Sequence, residues 1–300
     1  MFDIIGKRFW FFLLSGVVIL VGLVSLATFG LKSGIEFSSG SILGVSFDQP
    51  VDMAQVKQAV ADSGYADAII QQTGNEFLIR THELAAEDKA NLENGLSQRL
   101  GQLSETQFYS VSPIAAAETV HNAAIAVTIA AVGILIYVTW AFRRMPRPFR
   151  YGTCAIIALI HDTLIALGIF SLLGGILDWQ INLMFITGIL AVIGYSVNDT
   201  VVIFDRIREN LKMGVSPSFE TVVNHSLVET LGRSMNTALT TLITALALLI
   251  FVGASIQNFA VVLLVGIVAG TYSSIFIASP LLVVWDKGEW GRFIGRRSRA

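Results

Sequence analysis

The chain has 300 residues, of which 54% are hydrophobic and only 14% are charged. A soluble domain has about 25% charged residues, so this composition excludes an ordinary soluble protein and indicates an integral membrane protein. The formal net charge of −2 gives no reason to expect a nucleic acid partner. The single cysteine, Cys154, excludes an intrachain disulfide.

A membrane-spanning helix needs about 20 mostly apolar residues. Six stretches meet this requirement, in chain order Phe9–Phe29, Ala123–Phe142, Tyr151–Leu172, Leu183–Phe204, Leu239–Phe251 with its flanks, and Phe259–Trp285. One sizeable polar block lies between the first two. The sequence therefore predicts a six-span helical bundle with one small outer domain. The expected divisions are residues 1–31, 32–122, 123–285 and a basic tail, 286–300.

The distribution of lysine and arginine predicts the orientation of the spans, because these residues accumulate in cytoplasmic loops. They precede span one, fill the links after spans two and four, and end the chain. The links Leu173–Asn182 and Ala254–Asn258 contain neither residue. Both termini are therefore expected in the cytoplasm. Ser25–Ala27 resembles a signal-peptide cleavage site, but the apolar run exceeds the usual length of about 7–15 residues and favours an uncleaved anchor.

The polar block contains a recognisable order of elements. "SILGVSF" is strand-like, and "VDMAQVKQAVADSG" has helical periodicity with a glycine stop. "AIIQQTGNEFLIRT" contains two strand-like runs about a turn, "AAEDKANLENGLSQRLG" is a second helix, and "TQFYSVSPI" is a last strand. The order β-α-β-β-α-β predicts a ferredoxin-like domain. It has no metal-ligand spacing, phosphate loop or paired nucleophile and base, so we expect it to hold or touch a partner rather than to catalyse.

Two spans contain ionisable residues, which are costly in a membrane and are functional candidates by default. His161 and Asp162 lie about 16 Å from the cytoplasmic Arg150 along the third span. Asn198 and Asp199 lie in the fourth span, and Asp199 is about 9 Å from its cytoplasmic edge at Asp205. Two structural alternatives remain open. Asp199 can snorkel or bond a neighbouring helix, and His161 and Asp162 can form a local pair.

Helical phase extends these candidates to neighbouring residues. Ser196, Asp199 and Arg206 share a face of span four. Span five presents a polar stripe of Arg233, Thr237, Thr240, Thr241 and Thr244. The stripe can line a hydrated path, but its threonines can instead bond their own helix and Arg233 can be an interfacial anchor. Gly266 and Gly270 form a GxxxG pattern in span six, which favours helix packing.

Several motifs resemble those of the SecF family of bacterial protein translocase subunits. "GYSVNDTVVIFDRIREN" at Gly194–Asn210 resembles the family's fourth-span signature. "GIEFSSGS", "ALIHDTLIALG", "LGRSMNTALTTLITALALLIF" and "GTYSSIFIASPLL" resemble its other motifs in order and spacing. The first of these departs from the family pattern, because Glu36 replaces the usual Asp and Ser39 the first of two glycines. Serine has less backbone freedom than glycine, so the local geometry of this segment is open.

The resemblance implies a member of the resistance-nodulation-division superfamily, in the inner membrane of a bacterial cell. It implies SecD as a partner, association with YajC and the SecYEG channel, and contact with preprotein and lipid. It also implies use of the proton gradient to promote late steps of export, with Na⁺ an alternative ion and no cofactor or enzymatic activity. The family's proton-path carboxylate corresponds to Asp199 and its functional arginine to Arg233. Asn198, Thr237, Thr240 and Thr241 would line the path, and His161, Asp162, Asp205 and Arg206 are secondary candidates.

Parts of the sequence are also compatible with other functions. Asp162 and Asp199 lie on successive spans, as in an intramembrane aspartyl protease, but Asp199 follows "SVN" rather than a GxGD-like run. A zinc protease would need HExxH, which is absent from the sequence. A proton-driven drug or lipid exporter of the same superfamily is the closer alternative, although this chain would be half of such a unit. A structural scaffold is the remaining alternative.

Overall fold

The computed structural model describes residues 3–252 and 256–290. It divides into two compact units, residues 1–32 with 125–300 and residues 33–124. Six helices in the described ranges are long and apolar enough to cross a membrane, as predicted. Most of the predicted basic tail, from position 291 onward, lies outside the described residues.

The membrane helices are longer than their apolar cores. A 3₁₀ turn, Ile5–Lys7, leads into α1, and the other spans are α5, α6, α7, α8 and the composite of α9 and α10. Their bounds are Arg8–Phe29 (α1), Pro113–Ala141 (α5), Phe149–Leu177 (α6), Leu183–Met213 (α7), Phe219–Phe251 (α8), Gln257–Ser273 (α9) and Ser279–Lys287 (α10). Helices α5 and α8 begin well before the predicted spans, because polar residues can continue a helix beyond the apolar stretch that hydropathy detects.

Glycine allows close contact between several of these helices. A Cβ on Gly168 of α6 would lie 2.6 Å from the Cα of Gly22 on α1, so the two backbones touch. Gly266 and Gly270 of α9 lie against Val192 and Ser196 of α7, and a Cβ on Gly270 would be 2.9 Å from the Ser196 Cβ. The GxxxG face therefore brings α9 directly onto the helix that carries Asp199.

The last spanning helix contains a π-helical turn, Ser274–Ala278, between α9 and α10. The Ser279 hydroxyl donates a 3.0 Å hydrogen bond to the Ser274 carbonyl inside this turn. π-turns within α-helices are frequent at functional sites. This one places Ser273 and Ser274 in the interior of the bundle, where both are fully buried.

The N-terminal end of α1 is tied to two other helices. The Asn224 side-chain oxygen on α8 accepts hydrogen bonds from the backbone N–H groups of Ile4 and Ile5, at 2.8 and 3.1 Å. The buried Arg8 guanidinium donates to Glu220 of α8 at 2.8 Å and to Glu289 at 2.5 Å. These contacts fix the start of span one against the ends of spans five and six.

The outer unit has the predicted ferredoxin-like order, preceded by a one-turn helix. Its elements are α2 (Ile35–Ser38), β1 (Gly40–Phe47), α3 (Met53–Asp62), β2 (Ile69–Thr73), β3 (Glu76–Thr81), α4 (Ala86–Leu100) and β4 (Leu103–Val111). The four strands form an antiparallel sheet in the order β2-β3-β1-β4. Leu43, Val45 and Ile79 on one sheet face pack with Val56 of α3 and Leu92 of α4.

Two boundaries of the outer unit differ from the prediction. Strand β4 starts at Leu103, three residues before the predicted Thr106, and ends at Val111. Pro113 and Ile114, predicted to end that strand, begin α5 instead. Proline has no N–H to donate to a sheet but suits the first turn of a helix, which explains the boundary.

The segment that departs from the family pattern adopts an unusual backbone. Ser39, at the end of α2, has φ 65° and ψ 166°, a region occupied almost only by glycine. Gly40 follows with φ 130°, and a Cβ there would lie 2.5 Å from the Thr81 carbonyl oxygen. The chain therefore keeps a glycine-type turn at Ser39 although serine replaces the glycine.

Candidate functional site

Asp162 is the most fully bonded carboxylate inside the bundle. Its Oδ2 accepts hydrogen bonds from Ser196 of α7 at 2.6 Å and from Ser273 of α9 at 2.9 Å. Its Oδ1 lies 2.9 Å from the Nδ1 of the adjacent His161. Three helices thus meet at this side chain, which is 2% exposed. Both oxygens of the Asp162 side chain therefore have a polar partner within the described bundle.

His161 completes this cluster on the side that faces α1. Its ring stacks on Tyr272 of α9, with centroids 6.1 Å apart, and lines an apolar cleft of about 520 Å³ between α1, α6 and α9. Its Nε2 is buried and has no hydrogen-bond partner among the described residues. The predicted local pair of His161 and Asp162 is therefore present, and Ser196 and Ser273 join it.

Asp199 has a different environment from Asp162. It lies on α7, about one helical turn beyond Ser196. Its Oδ1 accepts a 2.6 Å hydrogen bond from the Ser234 hydroxyl of α8. Its Oδ2 is buried and has no hydrogen-bond partner within the described ranges. A protonated carboxyl needs fewer donors than a carboxylate, because one of its oxygens carries the proton itself. Asp199 is therefore the carboxylate of the pair that keeps one oxygen without a donor in the described ranges.

Hydroxyl groups connect the surroundings of the two aspartates. Thr200, next to Asp199, has its Oγ1 2.8 Å from the Ser274 Oγ in the π-turn. Ser274 also donates to the backbone carbonyl of Ser196 at 3.3 Å, and Ser196 bonds Asp162. The π-turn and α7 therefore share a polar interface that reaches from one carboxylate to the vicinity of the other.

Arg233 and Asn198 are adjacent to this interior but not inside it. Arg233 precedes Ser234 on α8, is exposed, and lies near enough to Asp199 for their charges to interact. Among the described residues its guanidinium makes no hydrogen bond or salt bridge. Asn198 is exposed on another face of α7. The structure thus brings Arg233 towards Asp199 and directs Asn198 away from the bundle interior.

The threonine stripe of α8 satisfies its own hydroxyl groups. Thr237 donates to the Arg233 carbonyl at 3.0 Å, Thr241 to the Thr237 carbonyl at 2.8 Å, and Thr244 to the Thr240 carbonyl at 3.1 Å. Thr240 bonds the carbonyls of Asn236 and Thr237 in the same way. This is the back-bonding alternative raised above. Thr237, Thr240 and Thr244 are exposed on this chain, and their role in a hydrated path stays a prediction.

The C-terminal part of α7 and the N-terminal part of α8 are joined by an ion-pair cluster. Arg206 binds both carboxylate oxygens of Glu229, at 2.7 and 2.8 Å, and Glu209 at 2.6 Å. Asn210 also donates to Glu229 at 2.7 Å. Asp205 is exposed and pairs with Arg208. A bidentate pair fixes orientation as well as distance, so Arg206 and Glu229 hold the Asp199 and Ser234 helices in register.

The sequence analysis did not identify Ser234, Ser273, Ser274 or Glu229 as site residues. A lone serine in a helix carries little signal, because it usually bonds its own preceding turn. No group of three or more His, Cys, Asp or Glu residues that could hold a metal ion is present in the described ranges. The polar groups around Asp162 and Asp199 in the described bundle are carboxylates, hydroxyls and the imidazole of His161.

The fold and this interior define a multi-pass membrane protein with buried carboxylates in its helical bundle and an outer ferredoxin-like domain. Residues 92–288 match the family model described as "Protein export membrane protein SecD/SecF, C-terminal", and residues 24–51 match the "SecD/SecF GG Motif". The chain belongs to the SecD/SecF family of protein export membrane proteins.

Full-length relatives specify the SecF type within that family. The chain is 43% identical to "Protein translocase subunit SecF" of Thermobaculum terrenum, over 99% of this chain and 98% of the relative. It is 42% identical to the protein of the same name from Anaerolinea thermophila, over 100% and 99% of the two chains. The resemblance to SecF is therefore shown over the whole length.

The solved structures extend the comparison to three dimensions. The crystal structure of SecDF from Thermus thermophilus, a translocon-associated membrane protein, superposes with a TM-score of 0.85 at 31% identity. SecDF in its super-membrane-facing form superposes with a TM-score of 0.68 at 28% identity. The matches cover 95% and 99% of this chain but only 39% and 40% of the solved chains.

Proposed function

We propose that this chain acts with SecD to couple inward flow of protons to late steps of preprotein export through SecYEG. The observation that carries the coupling role is the environment of Asp199, a buried carboxylate with one hydroxyl donor and one unbonded oxygen. Such a group can bind and release a proton as its surroundings change. The names of the relatives support the export role.

Arg233 supplies the second element of the proposed coupling. When its positive charge approaches Asp199 it favours the carboxylate, and when it withdraws burial favours the neutral acid. Movement of α8 relative to α7 would therefore exchange the two states. Proton binding on one side of the membrane and release on the other would then drive a change in the bundle, and through it in the outer domain.

A SecD partner follows from the exposed polar surface of α8. Arg233 and Asn236 are exposed on this chain within a helix that crosses the membrane. Polar groups of this kind rarely face lipid and usually face a bundle interior or a hydrated cavity. We propose that a second bundle, that of SecD, covers this face. The remaining length of the solved SecDF chains agrees with a partner of larger size. YajC, an inner-membrane location and cytoplasmic termini belong to the same proposal.

The test compares Asp199→Asn with the matched control Asp205→Asn in membranes that contain SecD and SecYEG. Asparagine is nearly isosteric with aspartate but cannot take a proton on and off near neutral pH. Asp199→Asn should insert and bind SecD but lose gradient-dependent export. Asp205→Asn, at an exposed site paired with Arg208, should export as wild type does. A normal response of Asp199→Asn to the gradient would contradict the proposal.

A further inference from the structure

The outer domain has a long, open sheet edge. Strand β4, Leu103–Val111, has nine residues and pairs only with β1 within the described chain. In a strand that pairs on one side, about half of the backbone N–H and C=O groups point away from the sheet. The side chains of Ser104–Gln107, Tyr109 and Ser110 are exposed along the same strand. This edge is therefore accessible along most of its length.

The usual protections of an edge strand are weak here. Natural edges are shielded by lysine, proline, inward charges, bulges or a covering element. β4 contains neither lysine nor proline, and its one charged residue, Glu105, pairs with Lys89 at 2.7 Å. A register irregularity opposite Gly44 and Val45 interrupts the pairing once. The five residues Gln107–Val111 continue in regular register beyond it.

The opposite edge is a poorer candidate for the same role. Strand β2, Ile69–Thr73, has five residues against nine in β4. A shorter strand offers fewer main-chain groups to a partner. β4 also leads directly into a membrane helix, because only Ser112 separates it from Pro113 at the start of α5. A force applied to β4 would therefore pass along the chain to span two.

We propose that the β4 edge binds an extended segment of the exported polypeptide as an added strand. Every polypeptide carries the same main-chain donors and acceptors, so strand addition accepts chains of many sequences. With one charged residue among its nine, this strand selects only weakly for charge in the passing chain. This inference rests on the export function proposed above and names the surface of the outer domain that contacts the cargo.

The experiment uses the full chain in membranes with its partner complex and an export substrate arrested in the channel. Cysteines are placed in the regular part of β4 by Gln107→Cys and Tyr109→Cys, in a Cys154→Ala background. Exposed Glu87 on α4 provides the control, Glu87→Cys. A series of substrates carries one cysteine each at successive positions. Disulfide adducts are then measured after mild oxidation.

Strand addition predicts two results. The β4 cysteines should give at least about fivefold more adduct than Glu87→Cys. The substrate position that reacts best should also differ between Gln107→Cys and Tyr109→Cys by about two residues, because paired strands advance residue by residue in a regular register.

The inference would be overturned if the adduct yields at β4 and α4 were equal. It would also be overturned if the best-reacting substrate position did not change between the two β4 cysteines, or if the adducts formed with another membrane subunit in place of the substrate. The outcome is separable from that of the proposed function. If Asp199→Asn loses its response to the gradient and the β4 cysteines form no adducts with the substrate, only the assignment of the β4 edge as the cargo site is refuted. A normal gradient response in Asp199→Asn refutes the coupling role whether or not adducts form.

Discussion

Ser234 donates a 2.6 Å hydrogen bond to Asp199 across the contact between α8 and α7. Ser234 is also the residue that follows Arg233, so one turn of α8 presents a hydroxyl to the carboxylate and a positive charge beside it. The hydroxyl is the only hydrogen-bond donor to this carboxylate among the described residues. Its removal tests the site without changing any charge.

Ser234→Ala is expected to reduce gradient-dependent export about tenfold. A hydrogen bond to a charged group contributes about 1.5–3 kcal/mol, and 1.4 kcal/mol corresponds to a factor of ten. The measurement is export into vesicles with the gradient present and then collapsed. Thr237→Ala is the control, because that hydroxyl bonds its own helix and should be nearly neutral. Equal losses in the two variants would instead place the threonine stripe in the path.

Substitution of Arg233 distinguishes charge from geometry. If only a positive charge near Asp199 is needed, Arg233→Lys should retain most gradient-dependent export and Arg233→Ala should lose it. If the planar set of donors is needed, both variants should lose it to a similar degree. The same vesicle assay measures this, with binding of SecD checked in each variant. Wild-type export by Arg233→Ala would show that the residue is only an interfacial anchor.

Asp162→Asn is expected to destabilise the bundle. Its carboxylate accepts from Ser196 and Ser273 and contacts His161, and an amide would turn one acceptor into a competing donor. A buried group left unsatisfied costs about 1–3 kcal/mol, which corresponds to about 2–4 °C per kcal/mol in a chain of this size. Thermal unfolding in detergent measures the shift. Asp199→Asn serves as the comparison and should unfold within about 2 °C of wild type.

The backbone at Ser39 predicts a stabilising substitution in the outer domain. Ser39→Gly removes backbone strain of about 1–3 kcal/mol, but glycine loses more conformational entropy on folding, which costs about 0.5–1 kcal/mol. The free energy of unfolding should therefore rise by about 1 kcal/mol. Gly40→Ala should destabilise the same turn, because its Cβ would contact the Thr81 carbonyl. Residues 32–122 expressed alone, which we expect to unfold cooperatively, allow a thermal comparison. A lower melting temperature for Ser39→Gly would contradict the assignment of strain.

The parts of this structure that sequence could predict are those that leave a repeated or conspicuous pattern. Apolar runs predict the six spans, and alternating periods predict the ferredoxin-like order. A carboxylate such as Asp162 or Asp199 stands out in an apolar run. The partners of those carboxylates could not be predicted, because local sequence patterns do not indicate which neighbouring helix a given serine contacts. Ser234 and Ser273 become site residues only through packing of α8 and α9 against their neighbours.

Helix ends show the same limitation for a different reason. Hydropathy predicts a fifth span of Leu239–Phe251, whereas α8 begins at Phe219. The additional residues carry Glu229, which binds Arg206, and Arg233. Their polarity conceals them from a hydropathy window, although they extend the same helix. The part of α8 that carries Glu229 and Arg233 therefore lies outside the apolar stretch from which span five is predicted.

The π-turn at Ser274–Ala278 gives the last span an adjustable winding. One additional residue in a turn rotates everything that follows by about 100° relative to an uninterrupted α-helix. If the π-turn shifts along the helix by one position, one backbone hydrogen bond is exchanged for another. The position of the π-turn can therefore change without unfolding of the span. Ser273 and Ser274 lie at the start of the π-turn. Ser273 bonds Asp162 of α6, and Ser274 bonds Thr200 of α7. A displacement of this kind would change the rotation of α10 relative to α9 and would exchange the contacts that Ser273 and Ser274 make with Asp162 and Thr200.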